Sequence, residues 1–180
     1  MDLIDALLED HETVKALFTR IATAKGQQQV ELFGELRENL VRHEVAEEEI
    51  VRPLTRSTLV DGESIAEHRI GEEAKAEETL KQMEKSEVGS TEWLSLFEML
   101  RTAVLEHAEK EETIEFPGLR AGVDADQLEK AQKMFEGAKK IAPTHPHPGT
   151  PNTATANMAL GPIAALVDRA RDAIAKAKAG

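Results

Sequence analysis

The chain has 180 residues, a formal net charge of -12, 41% hydrophobic and 31% charged side chains, and neither cysteine nor tyrosine. That length suits one core-bearing domain with an appendage, and the composition is neither that of a disordered chain nor that of a membrane span. Excess negative charge without a Lys/Arg stripe argues against nucleic acid. Without thiols there are no disulfides and no thiolate ligands, and without phenols there is no tyrosyl radical relay. Any metal must then be held by imidazole and carboxylate, which favours iron, manganese or zinc. No apolar run approaches the roughly 20 residues of a membrane helix, and Asp2 and Asp5 stand where a secretory signal would be basic, so the expected setting is cytoplasmic, with no membrane partner.

Polar punctuation at Lys25-Gly26, Val60-Asp61-Gly62, Val88-Gly89-Ser90 and Phe116-Pro117-Gly118 with Gly122 separates amphipathic stretches of helical period. Five helices are expected before residue 143. The first four, joined by short loops, form an all-α, up-down-up-down four-helix bundle, and the fifth, roughly 124 to 142, lies against it. Ser64 with Glu67 and Asp124 with Gln127 read as capping boxes. Residues 1–142 thus make one helical bundle. Residues 143–180 make a Pro/Thr-rich tether and a short amphipathic helix from Ile163 to Ala179, whose apolar face returns to its own bundle or joins a homodimer.

A 3-4 apolar repeat marks the stripe of each helix that faces a bundle interior. The first helix gives Ile4, Leu7, His11, Val14, Phe18 and Ile21. The second gives Phe33, Leu36, Leu40, His43, Glu47, Ile50 and Leu54. The third is less regular, with Ile65, His68, Glu72 and Met83 on one face. The fourth gives Trp93, Phe97, Leu100, Val104, His107, Glu111 and Ile114. Each helix sends one histidine inward, and two carry a glutamate one turn further on, so that both side chains reach a common centre. Among leucines an unpaired carboxylate costs several kcal/mol, on the order of a lost charge pair, and a cation removes that cost. Four histidines and two carboxylates exceed a structural zinc site and suit two metals bridged by carboxylate. The expected ligands are His11, His43, Glu47, His68, His107 and Glu111, with Glu72 as an additional candidate. No catalytic group apart from these ligands and no organic cofactor is expected. Of Glu44, Glu48, Glu49, Glu109 and Glu112, most are expected to face water, and His145 and His147 to lie in a solvated turn.

The chain also repeats itself. HEVAEEEIVRP from His43 and HAEKEETIEFP from His107 share H-x-x-x-E-E-x-I-x-x-P, with Pro53 and Pro117 at the same offset. The two hairpins look like equivalent halves about a pseudo-twofold axis, each giving His, His and Glu, and the prolines are expected to end or kink their helices.

This ordered pattern, H…H-x-x-x-E…H…H-x-x-x-E over roughly residues 1 to 120, resembles the hemerythrin-like HHE cation-binding family. The resemblance implies a hemerythrin-like bundle with two non-haem iron ions and a small ligand: dioxygen, peroxide or nitric oxide. The family's oxygen carriers have a histidine four residues after the third-helix histidine and an aspartate five after the fourth. This chain has Glu72 at the first place and Glu111 and Glu112 about the second, and a carboxylate-rich set favours redox turnover or iron holding over an oxy complex. Three readings stay open: a catalase- or peroxidase-like reaction with peroxide, serving against oxidative stress; a dioxygen- or nitric-oxide-binding protein or sensor; and an iron-holding bundle without catalysis.

Overall fold

The computed structural model describes residues 1–145. They form helices α1 (Leu3–Thr23), α2 (Gln27–Ala46), α3 (Arg52–Thr58), α4 (Gly62–Lys85), α5 (Thr91–Lys110), α6 (Phe116–Gly122) and α7 (Ala125–Ile141), and no strand. Two π-helical turns, Glu47–Val51 and Glu111–Glu115, join α2 to α3 and α5 to α6 without breaking the rod. Counting each joined pair as one rod gives the five expected helices. The first four rods form the bundle, and α7 packs against α1 and α2. Among the described residues no helix is long and apolar enough to cross a membrane.

Two apolar clusters hold the bundle. One contains Phe18, Ile21, Phe33, Leu36, Leu80, Met83, Trp93 and Phe97. Trp93 stacks on Phe97 with ring centroids 5.3 Å apart and takes Phe33 edge-on at 5.2 Å. The other contains Leu3, Leu7, Ile50, Val51, Leu54, Phe116, Leu119 and Phe135. At roughly 1.5–3 kcal/mol per fully buried large side chain, these clusters supply the main folding drive. They meet along α1 between Leu7 and Val14, and along α2 between Val41 and Ala46. His11 and His43 sit at these divides, so the polar site lies between two hydrocarbon blocks.

The helix starts differ in detail from the sequence expectation. The capping box that forms is at Asp2 and Asp5, each side chain accepting from the other's backbone N–H, at 2.9 and 3.1 Å. Ser64 is not a cap: α4 begins two residues earlier at Gly62, where a Cβ would collide with the Thr55 carbonyl and lie 2.9 Å from Arg56 Cα. Only glycine permits that close approach of α4 to α3. Asp124 does occupy the N-cap of α7, but its side chain makes no capping hydrogen bond. Of the expected tether, residues 143–145 are described, with His145 exposed beside Thr144. His147, the remainder of the tether and the helix from Ile163 lie outside the described residues.

Candidate metal centre

The repeat seen in the sequence is the source of the two π turns. Proline has no N–H, and its ring crowds the carbonyl four residues back, so a regular α-helix through Pro53 or Pro117 is penalised. The chain widens by a residue in the turn before each proline instead, and each proline enters near the N-terminus of the next helix. The interruption expected at the prolines thus takes the form of a π turn, with α2 ending at Ala46 and α5 at Lys110. In a π turn residue i+5, rather than i+4, stands over residue i. The backbone N–H of Arg52 accordingly donates to the Glu47 carbonyl, and that of Phe116 to the Glu111 carbonyl. Arg52 is thereby stacked over Glu47 and Phe116 over Glu111.

Two groups of ligand-type atoms converge, each lying within 4.8 Å of one another: His11, His43, Glu47 and Glu111; and Glu47, Glu73, His107 and Glu111. Glu47 and Glu111 belong to both. Each splits its oxygens between the groups. In the first, Glu47 Oε1 is 3.5 Å from His43 Nε2, and Glu111 Oε2 is 3.3 Å from His11 Nε2. In the second, Glu47 Oε2 is 4.0 Å and Glu111 Oε1 3.2 Å from His107 Nε2, and Glu73 Oε1 is 3.9 Å from the same nitrogen. Two carboxylates thus span two donor sets.

Each imidazole is oriented through its other nitrogen. Nδ1 of His11 pairs with Glu112 at 2.8 Å, that of His43 with Asp10 at 3.1 Å, and that of His107 with Glu72 at 3.1 Å. A carboxylate on Nδ1 fixes the ring plane and directs Nε2 inward, the usual support of a metal-bound histidine. Lysines and an arginine hold the carboxylates in turn: Lys15 on Glu112, Lys139 on Asp10, and Lys110 with Arg69 on Glu72.

The first group fits a cation on the state of its own atoms. His43 Nε2, Glu47 Oε1 and Glu111 Oε2 are buried and make no hydrogen bond among the described residues. Orphaned buried polar atoms of this kind are costly, and an ion accepting their lone pairs removes the cost. Nitrogen and oxygen donors without sulfur suit iron, manganese or zinc. In the second group the inward oxygens are met by the fully buried Arg52. Its Nη2 donates to Glu47 Oε2 at 3.0 Å and to Glu73 Oε1 and Glu111 Oε1 at 2.5 Å each, while Nη1 donates to Glu115 at 2.9 Å.

The electrostatics follow from this packing. Burial disfavours the imidazolium of His11 and His107, but Glu111 and its neighbouring carboxylates more than offset this and raise both above the ordinary value, His107 well above it. Burial also opposes the charge on Glu111, yet His107 and Arg52 hold it well below the usual carboxylate range. Glu73 is raised by burial, against the pull of Arg52. Glu44 is raised well above its usual value by burial and by Glu73.

Of the residues singled out in the sequence, His11, His43, Glu47, His107 and Glu111 converge. His68 does not: it is exposed, with Nδ1 against the Ser64 carbonyl at 2.7 Å. Glu72 orients His107 instead of joining either group, and Glu73 supplies the inward oxygen. The buried stripe of α4 is Ala66, Arg69, Glu73, Ala76, Leu80 and Met83, a regular 3-4 repeat that keeps the expected Met83 but runs one residue round from Ile65, His68 and Glu72. Its small and charged members masked it. Ile114 is exposed, and Glu115 is buried in its place, because the π turn shifts the register. Nor do all the flanking glutamates face water, since Glu112 supports His11, Glu49 is buried, and Glu44 lines a cavity beside the site. That cavity, about 30 Å³, is bounded by His11, His43 and His107 on one side and by Val14, Leu40 and Val104 on the other.

The comparisons with known proteins bear on the fold and the family. A solved structure from Mycobacterium kansasii, a hemerythrin HHE cation binding domain-containing protein, superposes with a TM-score of 0.68 at 19% identity, covering 78% of this chain and 86% of that one. A hemerythrin-like protein of Schizosaccharomyces pombe is 26% identical over 174 residues, 96% of this chain and 86% of its own length. A DNA nickase of Nostoc sp. is 27% identical over 140 residues, 77% of this chain but only 39% of the nickase. The profile of the hemerythrin HHE cation binding domain matches residues 2–119, and with its four-rod bundle and convergent His/Glu cluster the chain belongs to that family.

Proposed function

We propose that the chain is a di-iron protein that reacts with a small oxidant, hydrogen peroxide first, in a catalase- or peroxidase-like cycle. The observation that carries this reading is the sharing of Glu47 and Glu111 between two donor sets, beside a cavity of about 30 Å³. Such a volume accepts a water or a diatomic-sized molecule and little more, since a single water needs about 10–15 Å³ on this measure. His11 and His43 would hold one ion, Glu73 and His107 the other, with Glu47 and Glu111 spanning both. Bound iron would supply the electrons that cleave a peroxide O–O bond, and manganese would serve in the same donors.

The chain's own part is positional and protonic. Glu112, Asp10 and Glu72 keep the three Nε2 atoms aimed inward. Val14, Leu40 and Val104 keep the cavity wall apolar and exclude bulk water. Glu44 lines the same cavity, and burial with Glu73 nearby raises its carboxyl well above the ordinary value, so it is placed to donate a proton to a departing oxygen. Peroxide added to the iron-loaded protein in stopped flow, with oxygen evolution followed in parallel, tests the proposal. Turnover supports it and inertness overturns it. A stable coloured adduct with dioxygen or nitric oxide, formed without turnover, would move the assignment to carriage or sensing.

A further inference from the structure

The two donor sets are unequal although the sequence repeat is nearly exact at the ligand positions. Position i+5 of the first copy is Arg52, and that of the second copy is Phe116. The π turns bring both over the shared glutamates. Phe116 stacks on the His11 ring, with centroids 5.5 Å apart, and contributes no charge to the first group. Arg52 places one nitrogen, Nη2, within 2.5 to 3.0 Å of all three carboxylate oxygens that, with His107 Nε2, compose the second group. Its Nε also donates to Glu73 at 3.1 Å. Three buried atoms without a hydrogen-bond partner, His43 Nε2, Glu47 Oε1 and Glu111 Oε2, face one another in the first group, whereas in the second Glu73 leaves only Oε2 without one, its Oε1 being held by Arg52.

We propose that Arg52 is an internal cation standing at the second metal position, so that metal loads in order: first at His11 and His43, and at Glu73 and His107 only by displacing the Arg52 guanidinium. The proposal rests on the reading that this cluster binds metal. A metal ion and Nη2 cannot both lie among the same three oxygens, because they need the same lone pairs and carry like charge. The first position asks for no such displacement. Arg52 has a place to retreat to, since Nη1 is already bonded to Glu115, whose other neighbours are Thr55 and Arg69. The guanidinium is thus a positioning and gating group, and it makes a one-metal form of the protein a stable state.

The test is a titration of the full-length, metal-free protein with Mn(II), followed by calorimetry and by the Mn(II) paramagnetic resonance signal. The wild type should take one ion tightly and a second at least about tenfold more weakly, given the like-charge displacement. Arg52→Gln, which keeps a donor but removes the charge, should tighten the second step by about tenfold or more and leave the first nearly unchanged. Two equal or cooperative steps in the wild type, or a second step no tighter in Arg52→Gln, would overturn the proposal. Should that variant fail to fold, the wild type carries a second readout. The buried, carboxylate-bonded guanidinium protons of Arg52, followed by NMR against Zn(II), should stay in place at the first equivalent and shift at the second; unchanged signals after both equivalents would overturn the gating role. Absence of any binding by either ion would refute the underlying metal reading and this inference with it, whereas two ions bound without order would refute this inference alone.

Discussion

His68 and Glu73 lie on the same helix, and only one of them faces the centre. Histidine is the more familiar ligand, but the packing of α4 decides, because the stripe through Ala66, Arg69, Glu73 and Ala76 is the one pressed against the bundle. Replacing His68 by Ala should leave metal stoichiometry unchanged, whereas Glu73→Ala should lower it. His43→Ala and Glu111→Ala should lower it sharply, the second most, since Glu111 belongs to both donor sets. Metal analysis of the purified variants checks all four, and full stoichiometry in Glu111→Ala would dismiss the assignment. Protonation gives an independent handle. In the metal-free protein His11 and His107 are raised above 6.5 by the carboxylates around them. A raised folded-state value contributes stability that is complete below the unfolded value and is lost as pH rises through the folded one. Burial acts in the same direction on Glu48, pushed up to about 8, and on Glu44 and Glu73. Thermal stability of the metal-free protein should therefore fall as pH rises above about 4.5, the ordinary carboxyl value, and on past 6.5, the ordinary imidazole value. Metal needs the neutral imidazole, so apparent affinity should rise over the same window, with proton release on binding. A pH-independent affinity would contradict the protonated state.

At the scale of elements, the 3.6-residue period reads well where the helix is regular. The inward faces of α1 and α2 follow from Ile4, Leu7, His11, Val14 and from Phe33, Leu36, Leu40, His43 without correction. Beyond Glu47 it still finds the buried Ile50 and Leu54 but misses Arg52, and beyond Glu111 it fails at the exposed Ile114, since a π turn changes which residue stands over which and the residues it brings in, Arg52 and Glu115, look like surface charges in a straight projection. The signal was present in the repeat itself, where a proline at the same offset in both copies demanded a local change of winding. It also misplaced α4, because alanines and charged residues on the packed stripe give no hydropathy contrast to fix its rotation. Close approach of α3 to α4 carries a further consequence. A methyl group on residue 62 would meet the Thr55 carbonyl, so Gly62→Ala should cost about 1–3 kcal/mol as the two helices are forced apart. Urea unfolding of the metal-free variant measures it. Thr55 and Arg52 share α3, so the same variant should also disturb the second metal step more than the first.

For the molecule as a whole, the question is what ties the appended fifth helix to the metal centre, since the family profile ends at residue 119 and α7 begins at Ala125. Two contacts answer it. Phe135, fully buried in the second apolar cluster, presents its ring edge-on to His43, with centroids 5.8 Å apart. Lys139 grips both oxygens of Asp10 at 2.7 Å, and Asp10 accepts from His43 Nδ1. Helix α7 thus closes the hydrocarbon block below the site and, through Asp10, sets the ring on which the first donor set depends. These two roles separate by mutation. Phe135→Ala removes a large core side chain and should cost about 3–5 kcal/mol of unfolding free energy whether or not metal is present. Lys139→Ala touches a partly exposed charge pair and should change stability by no more than about 1 kcal/mol. It frees Asp10 to leave His43, however, and should weaken the first metal step, an effect of roughly tenfold for a lost partner of a ligating histidine. If Lys139→Ala binds its first ion as tightly as the wild type, α7 is a packing element alone and the link through Asp10 has no part in the site.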